Sequence, residues 1–341
     1  MSLLALAGAF AVTIAVIAVL RASQLSERVA DLPNERSLHA KARPRIGGIG
    51  MMLAALPLFF SEGATDLRVV ALAAAVLAFV SLADDLRSLP VAVRLPCHLA
   101  AAAAATWAGL GPAAFDSPGM IALAAAIVLG IAWMANLFNF MDGADGLAGG
   151  MATLGFAAYA LAADHAGADD FALACAGLSA AGAGFLLFNF PPAKVFMGDA
   201  GSVPLGFLAG GLGWLGVCRG LWPAWFPLLV FSPFVVDATV TLARRMVARE
   251  TFLRAHRSHY YQRLVLGGWS HRRLALCAWA LMAAAAGSAL LALGQPAAVQ
   301  RAILAGWFAA FGALLVAIDR RHPRAAPPPG PASGSTPGTR R

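Results

Sequence analysis

The sequence predicts an all-α, polytopic bundle of transmembrane helices, and three observations predict it. Of the 341 residues, 60% are hydrophobic and only 12% charged. Apolar runs of about 20 residues, the length an α-helix needs to cross hydrocarbon, recur along the whole chain. These runs are rich in Ala, Leu and Gly and show no alternating polar face, which excludes barrel strands and leaves helices that satisfy their own backbone. Eleven spans are expected, at about 3–20, 46–60, 68–82, 93–110, 118–136, 147–163, 171–188, 201–217, 223–243, 274–293 and 300–317. Residues 1–320 then form one membrane domain, and the Pro-, Gly- and Ser-rich residues 321–341 read as a disordered cytoplasmic tail.

The first run, "MSLLALAGAFAVTIAVIAVL", has no basic residue before Arg21 and is expected to be a retained span rather than a cleaved signal. With the amino terminus outside, all but Arg68, Arg219 and Arg301 of the 25 Lys and Arg residues fall on the cytoplasmic side. This bias predicts a cytoplasmic carboxy terminus. The net charge of +8 is therefore a topology signal, not a sign of a nucleic-acid partner. The four cysteines are scattered singly with no C-x-x-C spacing, so neither a disulfide frame nor a zinc site is expected.

The polar clusters follow the odd-numbered spans. After the first, "NERSLHAKARPRIGGIG" sets Arg36, His39, Lys41, Arg43 and Arg45 near headgroup level, before Gly47 and Gly48 open the second span. After the third, "LADDLRSL" places Asp84 and Asp85 side by side, a pair that repels unless a cation or an arginine such as Arg87 or Arg94 stands near. After the fifth, "NLFNFMDGADGLAGG" spaces Asn136, Asn139, Asp142 and Asp145 at steps of three. If helical, these would line a curved wall of hard oxygen donors suited to Mg²⁺ or Mn²⁺. After the seventh, "FNFPPAKVFMGDAGS" carries Lys194 and Phe196 and sets Asp199 between glycines at a helix start, where backbone N–H groups can approach phosphate. After the ninth, "RAHRSHYYQRL" puts His256, Arg257 and His259 among arginines that would repel a metal, so an anion clamp is the better reading. Asp237, inside the ninth span, costs roughly 2.5 to 3.5 kcal/mol on insertion scales and is a site or pairing candidate by default.

These five clusters, in this order over about residues 34–264, resemble the polyprenyl-phosphate N-acetylhexosamine-1-phosphate transferases, the glycosyltransferase family 4 enzymes. The likeness is to the branch that initiates O-antigen and other surface glycans, and more distantly to phospho-MurNAc-pentapeptide transferase. The resemblance implies an enzyme of the bacterial inner membrane with a cytoplasmic active site. It would transfer an N-acetylhexosamine 1-phosphate from a UDP-sugar to undecaprenyl phosphate, release UMP and use Mg²⁺, with Mn²⁺ as an alternative. It also implies residue roles. Asn139 and Asp199 fall at metal-binding positions, and Asp84 and Asp85 at the acidic pair that orients or deprotonates the lipid phosphate. Arg94 falls at a phosphate-facing position, Asp145 and Phe196 at uracil-recognising ones, and His256, Arg257 and His259 in the loop that grips pyrophosphate. Arg45, Asn136 and Lys194 join these as substrate-binding candidates and Asp142 as a catalytic one. The loop "HRSHYYQRL" departs from the His-rich form of the peptidoglycan enzyme. An ion-coupled transporter is the reading from another class, but its acids should lie near mid-bilayer. The sugar, the acceptor's isoprenoid and the oligomeric state are left open, a homodimer included.

Overall fold

The computed structural model describes residues 3–31, 42–60, 64–112, 117–250 and 257–323. Among these, nine helices are long and apolar enough to cross a membrane. They are α1 (Leu3–Arg21), α4 (Thr65–Arg87), α5 (Val91–Leu110), α6 (Pro118–Met141), α7 (Leu147–His165), α8 (Asp169–Asn189), α9 (Asp199–Cys218), α13 (His271–Ala292) and α14 (Ala297–Arg321). Shorter pieces complete the order: α2 (Leu25–Arg28), α3 (Gly47–Ala55), α10 (Trp225–Val230), α11 (Ser232–Val247) and α12 (Tyr260–Leu266). The described β structure is a two-residue antiparallel pair, β1 (Ala30–Asp31) with β2 (Arg43–Pro44), and an isolated parallel bridge from Arg45 to Phe196.

Two of the eleven expected spans are not continuous helices, and proline explains the clearer break. Over 223–243 the chain forms α10 and α11, interrupted at Phe231. Pro233 has no N–H to give the Leu229 carbonyl. The Ser232 hydroxyl donates to that carbonyl instead, at 2.7 Å. Over 46–60, α3 runs on as a 3-10 helix, Leu56–Phe60, that includes Pro57. The steps of three from Asn136 to Asp145 also do not share one helix: α6 ends at Met141, Asp142 caps it, and Gly146 at φ +74° opens the turn into α7.

The core is built on α7, α8 and α9, whose faces are buried nearly all round. Here small residues let backbones approach: a Cβ on Gly48 would lie 2.2 Å from the Gly201 Cα, and one on Gly201 2.5 Å from the Gly48 Cα. The outer helices leave large apolar side chains uncovered, Phe308 at 84% and Phe79 at 75% exposed, as lipid-facing surface requires.

The helices alternate in direction, so their connections fall at two ends. At the far end Arg219, just beyond α9, donates to both oxygens of Asp66 on α4 (2.6 and 2.8 Å) and to Asp170 on α8 (3.1 and 3.2 Å). Its guanidinium also lies 5.4 Å from the Phe171 ring centroid. Burial opposes its charge, but the two carboxylates outweigh that and raise its pKa. The opposite end collects the acidic residues described next.

Candidate active site

Three helix ends and two loops build the site. At the carboxy end of α4, Ser88 turns left-handed (φ 50°) and the Leu89 N–H donates to Asp84 Oδ1 at 2.6 Å. Asp84 Oδ2 takes Arg94 Nη1 of α5 at 2.7 Å, so that carboxylate is fully engaged. The neighbouring Asp85 points the other way. Its Oδ2 accepts the Ala200 N–H of α9 at 3.2 Å and its Oδ1 stands 3.5 Å from Arg45 Nη1, with the side chain 1% exposed. Arg45 is also paired with Asp31. Gly198 is obligatory between them: its φ is +75°, and a Cβ there would lie 2.9 Å from Arg45 Cβ and 3.0 Å from Asp85 Oδ2.

Asp199 opens α9, facing the end of α6. Asn139 Nδ2 donates to Asp199 Oδ1 (2.8 Å) and to Ser202 Oγ (2.9 Å), locking the two helix ends together. Asp142 completes the group. Burial first, and then the negative charges of Asp199 and Asp85, hold its carboxyl well above the ordinary value against the pull of Arg45. Arg45 shows the complement: burial opposes its charge, yet Asp31, Asp85 and Asp199 raise its pKa. Five aspartates thus share the field of two arginines, Arg45 and Arg94. A group so over-supplied with negative charge favours a cation among its oxygens.

The oxygen donors here are of the type that a hard divalent ion takes. No three His, Cys, Asp or Glu side chains among the described residues form a ready-made cage. Mg²⁺, however, is ordinarily held by one or two carboxylates plus substrate phosphates. Asp199 would supply the carboxylate to such an ion. Asn139 can add its carbonyl oxygen by turning over its amide, whose N and O ends are of equal size.

A second unit adjoins this one. Buried Asn189, at the end of α8, accepts the Gly146 N–H at 2.8 Å and donates to the Val195 carbonyl at 3.0 Å, tying the 142–146 loop to the 190–198 loop. Asp145 Oδ2 accepts the Ala193 N–H at 2.9 Å, and its backbone N–H donates to His271 Nδ1 at 3.2 Å. Phe196 is half-buried, its N–H donating to Pro44 (2.9 Å) and its carbonyl accepting from Gly47 (3.0 Å). Lys194 is exposed beside it.

The last loop is fixed by Asp237. Its carboxylate accepts the Tyr260 and Tyr261 N–H groups, each at 2.9 Å, and faces His259 Nδ1 at 3.2 Å. The intramembrane acid is therefore the anchor that holds α12 and His259 at this end. Tyr261 then donates its hydroxyl to the Phe140 carbonyl at 2.9 Å. Arg257 is half-buried at the loop's edge. His256 lies outside the described residues, as do Arg36, His39, Lys41 and most of the tail. Asn136 is turned back on its own helix, donating to the Ala132 carbonyl at 2.8 Å.

Sequence reasoning missed Asp31, Asn189 and His271. Asn189 carried a faint signal, an amide closing an apolar run just before two prolines; the other two carried none.

The profile of glycosyl transferase family 4 matches residues 67–216, which run from the first turn of α4 to the last turn of α9 and include Asp84, Asp85, Asn139, Asp142 and Asp199. A probable undecaprenyl-phosphate N-acetylglucosaminyl 1-phosphate transferase of Bacillus subtilis is 29% identical over 255 residues, 71% of either chain. A decaprenyl-phosphate N-acetylglucosaminephosphotransferase of Mycobacterium tuberculosis is 28% identical over 319 residues, covering 80% of this chain and 78% of that one. A phospho-N-acetylmuramoyl-pentapeptide-transferase of Geobacillus thermodenitrificans is 35% identical over 150 residues, 43% of this chain and 44% of its own.

Proposed function

We propose that this chain, which belongs to glycosyl transferase family 4, transfers an N-acetylhexosamine 1-phosphate from a UDP-sugar to a polyprenyl phosphate, undecaprenyl phosphate in bacteria. The observation that carries the reading is the convergence of Asp85, Asn139 and Asp199 on the amino end of α9, at one end of an apolar bundle. A lipid phosphate and a water-borne pyrophosphate can meet only at such a boundary. The long alignments with N-acetylglucosamine 1-phosphate enzymes, against the short ones with pentapeptide transferases, favour a simple N-acetylhexosamine donor over the N-acetylmuramoyl-pentapeptide one.

In this reaction an oxygen of the lipid phosphate attacks the β-phosphorus of the UDP-sugar. The bond from that phosphorus to the bridging oxygen breaks, and UMP leaves. Mg²⁺ held by Asp199 and Asn139 would neutralise the pyrophosphate. Arg94, held by Asp84, and Arg45, held by Asp31 and Asp85, present fixed positive charge to the phosphates. The lipid phosphate's second pKa, near about 6, leaves it largely ionised at neutral pH, so Asp85 acts by placement more than by removing a proton. Asp142 adds charge that a bound ion would offset. By the family resemblance, Asp145 and Phe196 would recognise uracil and Lys194, Arg257 and His259 would grip the pyrophosphate, together with His256, which lies outside the described residues. The same reading sets the site on the cytoplasmic face of the bacterial inner membrane, at the first membrane step of O-antigen or another surface glycan.

Purified protein, incubated with Mg²⁺, undecaprenyl phosphate and a panel of UDP-N-acetylsugars that includes the MurNAc-pentapeptide nucleotide, tests this by UMP release. One sugar should release UMP in an acceptor-dependent way. A folded preparation that releases none from any donor would refute the proposal.

A further inference from the structure

An open-sided apolar groove of about 280 Å³ lies between α11, α12, α13 and α14, beside the acidic cluster but not part of it. Phe234, Leu274, Leu281, Phe311, Leu315 and Ile318 form its walls. From Leu274 to Leu281 it runs about 10 Å along α13. That is well within one leaflet of a hydrocarbon core about 30 Å thick. Tyr261 divides it from the site: the ring lines the groove, while the hydroxyl lies against Gly143 and bonds the Phe140 carbonyl.

The groove's mouth is basic. Trp269 lines it and carries the Arg273 guanidinium 4.1 Å above its ring. Arg272, Arg320 and Arg321 are exposed nearby, at the start of α13 and the end of α14. The acids close by are already engaged: Asp319 by Arg244 (2.7 Å) and Arg263 (2.8 Å), and Asp237 by the α12 backbone. An apolar slot of leaflet depth, topped by a tryptophan and by arginines with no ion pair among the described residues, matches a lipid with a negative headgroup.

We infer that this groove binds an anionic phospholipid of the adjoining leaflet, one acyl chain between α13 and α14 and the phosphate at Arg272 and Arg273. A zwitterionic lipid would fill the slot equally well but leave the arginines uncompensated. The polyprenyl acceptor must bring its phosphate to the acids beyond Tyr261, so it is a different ligand. The inference does not depend on the transferase reading.

The test is native mass spectrometry of the full chain released from micelles doped with equal phosphatidylglycerol and phosphatidylcholine. The wild type should retain phosphatidylglycerol in preference. The double variant Arg272→Ala/Arg273→Ala should weaken that retention roughly thirtyfold without changing phosphatidylcholine. Ala278→Phe, which fills the slot, should reduce both. Equal retention of the two lipids by the wild type, or unchanged phosphatidylglycerol in both variants, overturns the proposal. Displacement of phosphatidylglycerol one for one by undecaprenyl phosphate would overturn it too, because the groove would then be the acceptor's.

Discussion

The two ends of the bundle use the same side chains to opposite purposes. At the far end one arginine meets two aspartates, and the described hydrogen bonds use both oxygens of each. At the site end five aspartates crowd two arginines. Asp84 is consumed by a turn and Arg94, while Asp142 and Asp199 are left in excess of the available positive charge. A saturated ion pair clamps α4, α8 and α9. An unsaturated one, built on the opposite ends of the same helices, leaves carboxylate charge uncompensated. Formal charge alone does not separate structure from chemistry; the balance of donors and acceptors does.

The largest effect that would break this contrast is at Asp199. Asp199→Asn should cut UMP release by about a thousandfold while leaving the fold intact. Mg²⁺ should raise the Tm of the wild type but not that of the variant; a shift that persists in the variant would move the ion elsewhere. Asp85→Asn should lower kcat by roughly a hundredfold, since its amide can still accept from Ala200 but no longer balances Arg45. Recovery to nearly full rate at high pH would instead point to acceptor deprotonation as its task.

The far end should answer differently. Arg219→Ala strands Asp66 and Asp170 and should cost about 2 kcal/mol of stability, a figure reduced because the trio is about one-fifth exposed. Activity per folded molecule should stay within about twofold. Asn189→Ala lies between the two patterns. Losing two buried hydrogen bonds should cost about 2 kcal/mol and raise KM for the nucleotide sugar more than it lowers kcat.

The smallest effect is a gain. Because the folded protein holds the Asp142 carboxyl above its unfolded value of about 3.9, ionising it destabilises the fold increasingly as pH rises from there to the folded pKa. Asp142→Asn should therefore melt a few degrees higher at about pH 8 without divalent ions, with little gain at about pH 4, where the wild-type carboxyl is already neutral. No gain at the higher pH would mean that the surplus charge is compensated within the chain.

Much of this was legible in the sequence because hydrocarbon imposes a length and a composition. Each of the eleven apolar runs contains helix, and the acids and arginines stood out against them. Legibility ended where a residue's meaning depends on a partner far along the chain. Asp237 could be flagged by its cost inside a span, but not as the cap of a short helix 23 residues later. Asp31 and His271 look like ordinary interfacial charges until the 45 and 145 regions fold onto them. The break at Phe231 needed the carbonyl of Leu229 to be traced, not merely the proline to be seen.

The contact of Gly48 with Gly201 sets a limit on redesign. With backbones separated by less than a methyl group's width, the crossing of α3 over α9 acts as a fixed gauge for the spacing between Arg45 and Asp199. Libraries aimed at new sugar donors should leave these two codons and that of Gly198 untouched and place their diversity at the exposed Lys194 and the half-buried Arg257.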